Sequence, residues 1–208
     1  MTREKVACIL LASSNPGKLR EYRALASEGS LNPGLSFELF QGFSDIPPFD
    51  ESAPTFGENA AGKALYYSRF TQLPVMADDS GLAVDALGGA PGVHSARYAG
   101  PHASDNDRTA KLLESLRAVP GDNRRGRFIC AIALARRGRP IGIFSDSVEG
   151  QILDAPRGQD GFGYDPVFFL PALGKTFAEI PPESKNAYSH RGKAFRRLLA
   201  FLNSSPML

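Results

Sequence analysis

The opening of the chain restricts its fold more than any other stretch. Residues 6–12, VACILLA, are a short continuous apolar run that stops at Ser13-Ser14-Asn15-Pro16-Gly17. Such a run, apolar on both faces and ended by turn residues, reads as a strand buried on both sides. Lys18 to Glu28 then carries Leu19, Tyr22, Leu25 and Ala26 at helical spacing, with Asn15 or Ser14 suited to cap the helix. A buried strand fed through a tight turn into a helix is the start of an α/β fold. The basic head and apolar run of MTREKVACILLASS also have the outline of a secretory signal. The run is short and SNPGKLRE follows at once, so a first strand is the better reading.

The rest of the pattern extends this beginning. Residues 29–54 are rich in Gly, Pro and Asp, with a short strand near Phe37–Phe40. Thr55 to Phe70 reads as a helix with a capping box of Thr55 and Glu58, weakened by Gly57 and Gly62 at up to ~1 kcal/mol each. Leu73–Ala77 is a short strand that runs into Asp78-Asp79-Ser80-Gly81, and Leu82–Leu87 alternates like a second strand. A glycine- and proline-bearing loop over 88–104 leads to an amphipathic helix over Asp105–Val119, with Ala110, Leu112, Leu113 and Leu116 on one side. Phe128–Ala135 and Pro140–Val148 form a hairpin around Arg136-Arg137-Gly138-Arg139. Val167–Phe169 is extended, and a helix from about His190 to Leu202 closes the chain. Interleaved strands and helices with a central hairpin predict a mixed α/β sheet covered by helices.

Composition excludes several classes. Hydrophobic residues make up 42% of the 208, which is enough for a core and against a disordered chain. The net charge of +2 lacks the clustered basic excess of a dedicated nucleic-acid binder. No stretch approaches the ~20 apolar residues that span a bilayer. The two cysteines, Cys8 and Cys130, sit in apolar runs with no CxxC or ligand spacing, so they read as buried strand residues in a reducing, cytoplasmic setting.

Five places carry residue types suited to chemistry. Ser13 to Lys18 puts a turn, a helix start and a mobile ammonium where a phosphate could bind, although an ordinary βα turn with a solvated lysine has the same letters. It is not a Walker A loop, since Leu19 stands where Ser or Thr is required. Asp78-Asp79 at a strand end offers oxygen ligands for Mg²⁺, or an Asp-rich turn that Gly81 also suits. Asp50-Glu51 could complete a metal shell with Asp79, with Lys63 following in the next helix and Glu58 reading as a cap. Gly161-Phe162-Gly163-Tyr164-Asp165 allows backbone to approach a flat ligand while Phe162 or Tyr164 stacks on it, or is an aromatic-plugged loop. Lys185-Asn186 is followed by Ser189, suited to cap the last helix, and by His190-Arg191, basic groups in its first turn and against its dipole. His94 and His102 read as solvated, and Arg124, Arg125, Arg127, Arg136, Arg137 and Arg139 as exposed hairpin ends.

Taken in order, LLASSNPGKLRE, ESAPTFGENAAGKA, ADDSGLAVDALGGAPGVHSARYAG, GFGYDPVFF and ESKNAYSHRGKAF resemble the inosine triphosphate pyrophosphatase family in its bacterial form, over essentially the whole chain. The resemblance implies one domain over 1–208, with an elongated, curved mixed sheet and two helix-covered lobes with a cleft between them. It implies a homodimer that hydrolyses ITP, dITP and XTP to the monophosphate and pyrophosphate with Mg²⁺, and no nucleic-acid or membrane partner. Carried over by position, Ser13, Ser14, Asn15, Pro16, Gly17 and Lys18 cradle the phosphates, with Lys63 a further contact. Asp79 holds the metal and accepts a proton, with Asp78 beside it and an acid from Asp50-Glu51 completing the shell. Ser80 touches the substrate, and Phe162, Gly163, Tyr164, Asp165, Lys185, His190 and Arg191 bind the base and sugar end. Two positions depart from the family pattern: Ser13-Ser14-Asn15 where Thr-Gly-Asn is common, and Asp50-Glu51 where two glutamates are common. The rival expectations are a pyrophosphatase for another modified nucleotide and a non-catalytic nucleotide-binding module.

Overall fold

The structure is a computed structural model, and it describes residues 7–28 and 35–204. Val6 and residues 29–34, parts of the first strand and of the Gly- and Pro-rich stretch, lie outside the described residues. In chain order the elements are β1 (Ala7–Leu11), α1 (Pro16–Glu28), β2 (Leu35–Leu39), α2 (Phe56–Tyr67), β3 (Val75–Val84), α3 (Asp105–Ser115), β4 (Arg125–Arg136), β5 (Arg139–Ile152), β6 (Phe168–Leu170), β7 (Lys175–Thr176), α4 (Pro182–Tyr188) and α5 (His190–Ser204). The strands form a seven-stranded sheet in the order β2-β1-β3-β4-β5-β6-β7. β1 runs parallel to both β2 and β3, whereas β6 is antiparallel to β5 and β7, so the sheet is mixed. The fold is α/β, as the strand-turn-helix pattern predicts. Among the described residues no helix is long and apolar enough to cross a membrane.

The chain divides into two compact units, one of Met1–Asp79, Ala131–Ser145 and Gly192–Leu208, the other of Ser80–Cys130 and Asp146–Arg191. The first has a core of small residues, with Ala60 and Ala64 of α2 packed on Leu10, Val75, Ala77, Ala131 and Ala133. Alanines let the helix backbone approach the sheet closely, and Tyr22 and Phe37 meet Phe195 of α5 with ring centroids 5.5 and 5.1 Å apart. The second unit has a larger-side-chain core, in which Phe128, Phe168 and Phe177 meet ring to ring in one cluster with Leu82, Leu112 and Leu116.

Several local expectations are revised. Asp78-Asp79-Ser80-Gly81 is neither a turn nor a strand end: β3 runs through it from Val75 to Val84. The glycine there answers a packing demand, because a Cβ on Gly81 would collide with Ser95 Oγ and lie 2.7 Å from the Gly92 carbonyl. Helix α3 stops at Ser115, and its buried stripe holds Thr109 and Leu112 while Ala110 is exposed. The hairpin turns on Arg137 and Gly138, with φ of 52° and 70°, the left-handed pair that matches strand twist. Arg124 is buried, with its guanidinium 2.5 Å from Asp154 and its Nε donating to the Val119 carbonyl. Cys130 is buried, but Cys8 is only partly so. Helix α4 and strand β7, of seven and two residues, carry too short a periodic signal to be read from sequence.

Candidate active site

In the first unit the site follows from where β1 stops. β1 pairs with β3 at Leu10–Val75 and Leu11–Met76, and Ala12 donates to the Met76 carbonyl before the chain turns away. β3 continues, so Asp78 and Asp79 lie beyond the end of β1, beside the turn that starts α1. Asn15 caps that helix: its Oδ1 accepts from Gly17 N at 2.9 Å and Lys18 N at 3.1 Å. Ser13 Oγ accepts from Asn15 N, at 3.3 Å. Two N–H groups that the sequence offers to an anion are therefore engaged by the cap, and the positive charge here is the Lys18 ammonium. Its Nζ lies 2.8 Å from Oδ2 of Asp78, which is 1% exposed.

Helix α2 brings the next three groups. Lys63 Nζ donates to the Asp78 carbonyl at 3.1 Å and is ion-paired with Glu51. The segment that carries Glu51 is clipped along α2. Tyr66 Oη donates to the Pro47 carbonyl at 3.1 Å, and Phe49 N donates to Tyr67 Oη at 3.2 Å. Gly62 makes room for the Phe49 ring, which a Cβ would meet at 2.5 Å. Thr55 caps the helix by accepting from Glu58 N, while the Glu58 carboxylate takes the Thr55 hydroxyl, at 2.6 Å, in place of the capping-box bond to backbone.

Asp79 is buried, and burial pushes its carboxyl above the usual aspartate range. The Lys18 charge, the hydrogen bond from Asn59 and the Lys63 charge pull it down, while the Glu51 charge adds to the upward push. Lys18, Lys63, Glu51, Asp78 and Asp79 thus form one electrostatic cluster, two cations among three acids. Asp50, the other half of the acidic pair, is exposed.

In the second unit, Ser80 Oγ accepts from Arg191 Nη2 at 2.9 Å. The loop after β5 is folded around one carboxylate. Asp165 Oδ2 accepts from Phe162 N at 2.8 Å and from Lys185 Nζ at 2.7 Å, and both charged side chains are nearly buried. Gly161, at φ 79°, is required there because a Cβ would collide with that carboxylate. Gly163 N donates to Asp105 Oδ2 at 2.6 Å, tying the loop to the start of α3. The partly exposed Phe162 ring has Lys185 Nζ 5.1 Å and Arg191 Cζ 5.6 Å from its centroid, so two cations hold its orientation. His190 is buried and stacks on Phe128 at 4.8 Å with the rings 10° from parallel.

Against that geometry, the sequence pattern of the Ham1 family matches residues 9–201. The chain belongs to the Ham1 family. It is 50% identical over 190 residues to a dITP/XTP pyrophosphatase of Geobacillus kaustophilus, with 91% of each chain covered. It is 48% identical over 198 residues to a dITP/XTP pyrophosphatase of Thermus thermophilus, covering 95% of this chain and 93% of the relative. Among solved structures, a HAM1 protein from Coxiella burnetii superposes with a TM-score of 0.84 at 42% identity, covering 96% of this chain and all of the other. The Staphylococcus aureus Ham1 protein superposes with a TM-score of 0.82 at 36% identity, covering 95% and 98%.

Within this Ham1 chain the predicted residues fall into the two groups just described. Lys18, Lys63, Glu51 and Asp79 meet in the first; Ser80, Phe162, Asp165, Lys185 and Arg191 are linked by contacts in the second. Tyr164 is a different case. It is 4% exposed, and its Oη donates to the Ser95 carbonyl at 2.9 Å, so it is a core residue that leaves Phe162 as the ring able to face a ligand. Two residues that join these groups were not singled out in the sequence. Ser95 Oγ donates to the Gly92 carbonyl at 2.6 Å and accepts from Leu82 N at 2.9 Å, gripping β3 just after Ser80. Asn59 reaches Asp79. The available signal was a poor helix former inside an alanine-rich helix.

Proposed function

We propose that this protein hydrolyses the non-standard purine nucleotides ITP, dITP and XTP to the nucleoside monophosphate and pyrophosphate. The observation that carries the reading is the gathering of Lys18 and Lys63 around the buried Asp78-Asp79 pair and Glu51. The names of the relatives, dITP/XTP pyrophosphatase, support dITP and XTP among these substrates.

The metal of this reading is Mg²⁺. Among the described residues no group of three or more His, Cys, Asp or Glu forms a self-contained metal site. Mg²⁺ is commonly held by one or two carboxylates together with substrate phosphates. Asp79 and Glu51 are hard oxygen donors close enough for the charge of one to raise the pKa of the other, an arrangement a divalent cation relieves. Asp79 and Glu51 would hold it, and its chemistry would be to neutralise phosphate charge and polarise the α-phosphorus. Lys18 and Lys63 grip the polyphosphate and stabilise charge on the departing pyrophosphate. Asp79 takes the proton of the attacking water. Phe162 stacks on the base, which is worth ~1–3 kcal/mol. A 6-keto oxygen accepts where ATP carries an amino donor, so donors preset for the keto group reject ATP. A homodimer in a cytoplasmic setting belongs to the same reading, and light scattering of the purified chain tests the dimer.

The decisive experiment measures pyrophosphate release from dITP, XTP, dUTP and ATP side by side, with Mg²⁺ and with chelator. Release from dITP and XTP that stops with chelator is the expected result. Release that prefers dUTP or ATP, or that survives chelation, would overturn the reading.

A further inference from the structure

Asn59 is completely buried in α2, where asparagine is a poor helix former and an unsatisfied amide would be costly. Its side chain has three contacts. Oδ1 accepts from Ala53 N at 2.9 Å, and Nδ2 donates to the Ala53 carbonyl at 3.3 Å and to Asp79 Oδ2 at 3.0 Å. The two bonds to Ala53 imitate a strand pairing and pin the chain two residues after Glu51. The third bond fixes one oxygen of the carboxylate in β3. The network also determines the amide's orientation, since the flipped amide would set an acceptor against both the Ala53 carbonyl and the Asp79 carboxylate.

We propose that Asn59 is the positioning residue of the acidic site, a single amide that aims the Asp79 carboxylate and registers the Glu51 segment against it. The inference rests on the pyrophosphatase reading for its chemistry and goes beyond it by assigning a residue that touches neither phosphate nor base. Two carboxylates on separate elements serve one cation well only if their spacing is held, and partners that orient ligands typically change metal affinity or activity by ~10–100-fold when removed. α2 already holds this segment through Tyr66, Tyr67 and Gly62. Asn59 is the point at which the same helix also reaches Asp79.

Asn59→Ala removes all three bonds. Asn59→Asp keeps the acceptor for Ala53 N but removes the donor and sets a second carboxylate against Asp79. We expect both variants to lower kcat for dITP by ~10–100-fold while KM changes by less than ~3-fold, with Asn59→Asp the worse of the two. In nucleotide-free protein, the MgCl₂ midpoint of the thermal-shift curve should rise by ~10–100-fold in both. A purely structural amide would lower the melting temperature and leave the midpoint and kcat of the folded fraction unchanged, and that result overturns the proposal. A readout on the wild-type protein guards against variants that do not fold. The Asn59 side-chain amide resonance should shift saturably on MgCl₂ titration, and a resonance that stays still while the cation binds also overturns it. If wild type binds Mg²⁺ with that shift but releases no pyrophosphate from any nucleotide, the functional reading falls and the positioning role stands.

Discussion

Lys18 Nζ and Asp78 Oδ2 are 2.8 Å apart, joining the first turn of α1 to the strand that carries Asp79. The acid is 1% exposed and the ammonium side chain 13%. An acid so buried depends on its cation, whereas the lysine can turn to another anion.

Removing the cation alone should therefore be worse than removing both partners. Lys18→Met should destabilise the protein by about 3 kcal/mol, the low end for a broken buried pair, because the lysine keeps some contact with water. Lys18→Met combined with Asp78→Asn should recover part of that loss, as urea denaturation of the metal-free protein would show. A double variant less stable than Lys18→Met would mean the pair is not coupled.

Asp79 gives a pH prediction with a definite sign. Burial raises its folded-state pKa, so the carboxyl contributes most to stability below the ordinary aspartate value, and the contribution fades as pH climbs through the raised one. Asp79→Asn does not ionise. The stability of metal-free Asp79→Asn relative to wild type should therefore grow with pH across that window and then level off, while its activity falls by ~10²–10⁴-fold. Melting curves from pH 3 to pH 9 without metal check the first part, on the order of one curve per pH unit, and a flat difference refutes it.

Gly81 sits where a Cβ would strike Ser95 Oγ and crowd the Gly92 carbonyl. Gly81→Ala should cost about 3 kcal/mol, as overpacking against backbone does. The damage should reach the substrate side as well, since Ser95 holds β3 immediately after Ser80. A raised KM for dITP alongside a lowered melting temperature is the expected pair of results.

Phe162 and Tyr164 are two residues apart and should behave oppositely. Phe162→Ala should raise KM for dITP by ~5–100-fold, the equivalent of one lost base stack, with little change in melting temperature. Tyr164→Phe should lose the bond to the Ser95 carbonyl, about 1 kcal/mol, and keep its KM. Equal effects on KM would mean that both rings meet the base.

Much of this was legible along the chain because its causes are local. The strand-turn-helix opening, the Asn15 cap, the Thr55 cap and the Arg137-Gly138 hairpin turn each depend on a few neighbouring residues. Asp78-Asp79-Ser80-Gly81 misleads for the opposite reason. Asp and Gly together resemble a turn, but the strand continues because a distant serine and a distant lysine satisfy what the local sequence leaves open.

The sequence alone determined the class of fold, the caps and the residue types at the site, since periodicity, turn chemistry and charge are properties of nearest neighbours. Tertiary structure decided which of the adjacent acids takes Lys18, that Glu51 joins the cluster while Asp50 stays exposed, that Tyr164 is core, and that Asn59 reaches Asp79. Those outcomes depend on burial and on contacts between residues far apart in the chain. Hydrogen bonds and desolvation act through space, so they become definite only once β3 and α2 are packed together.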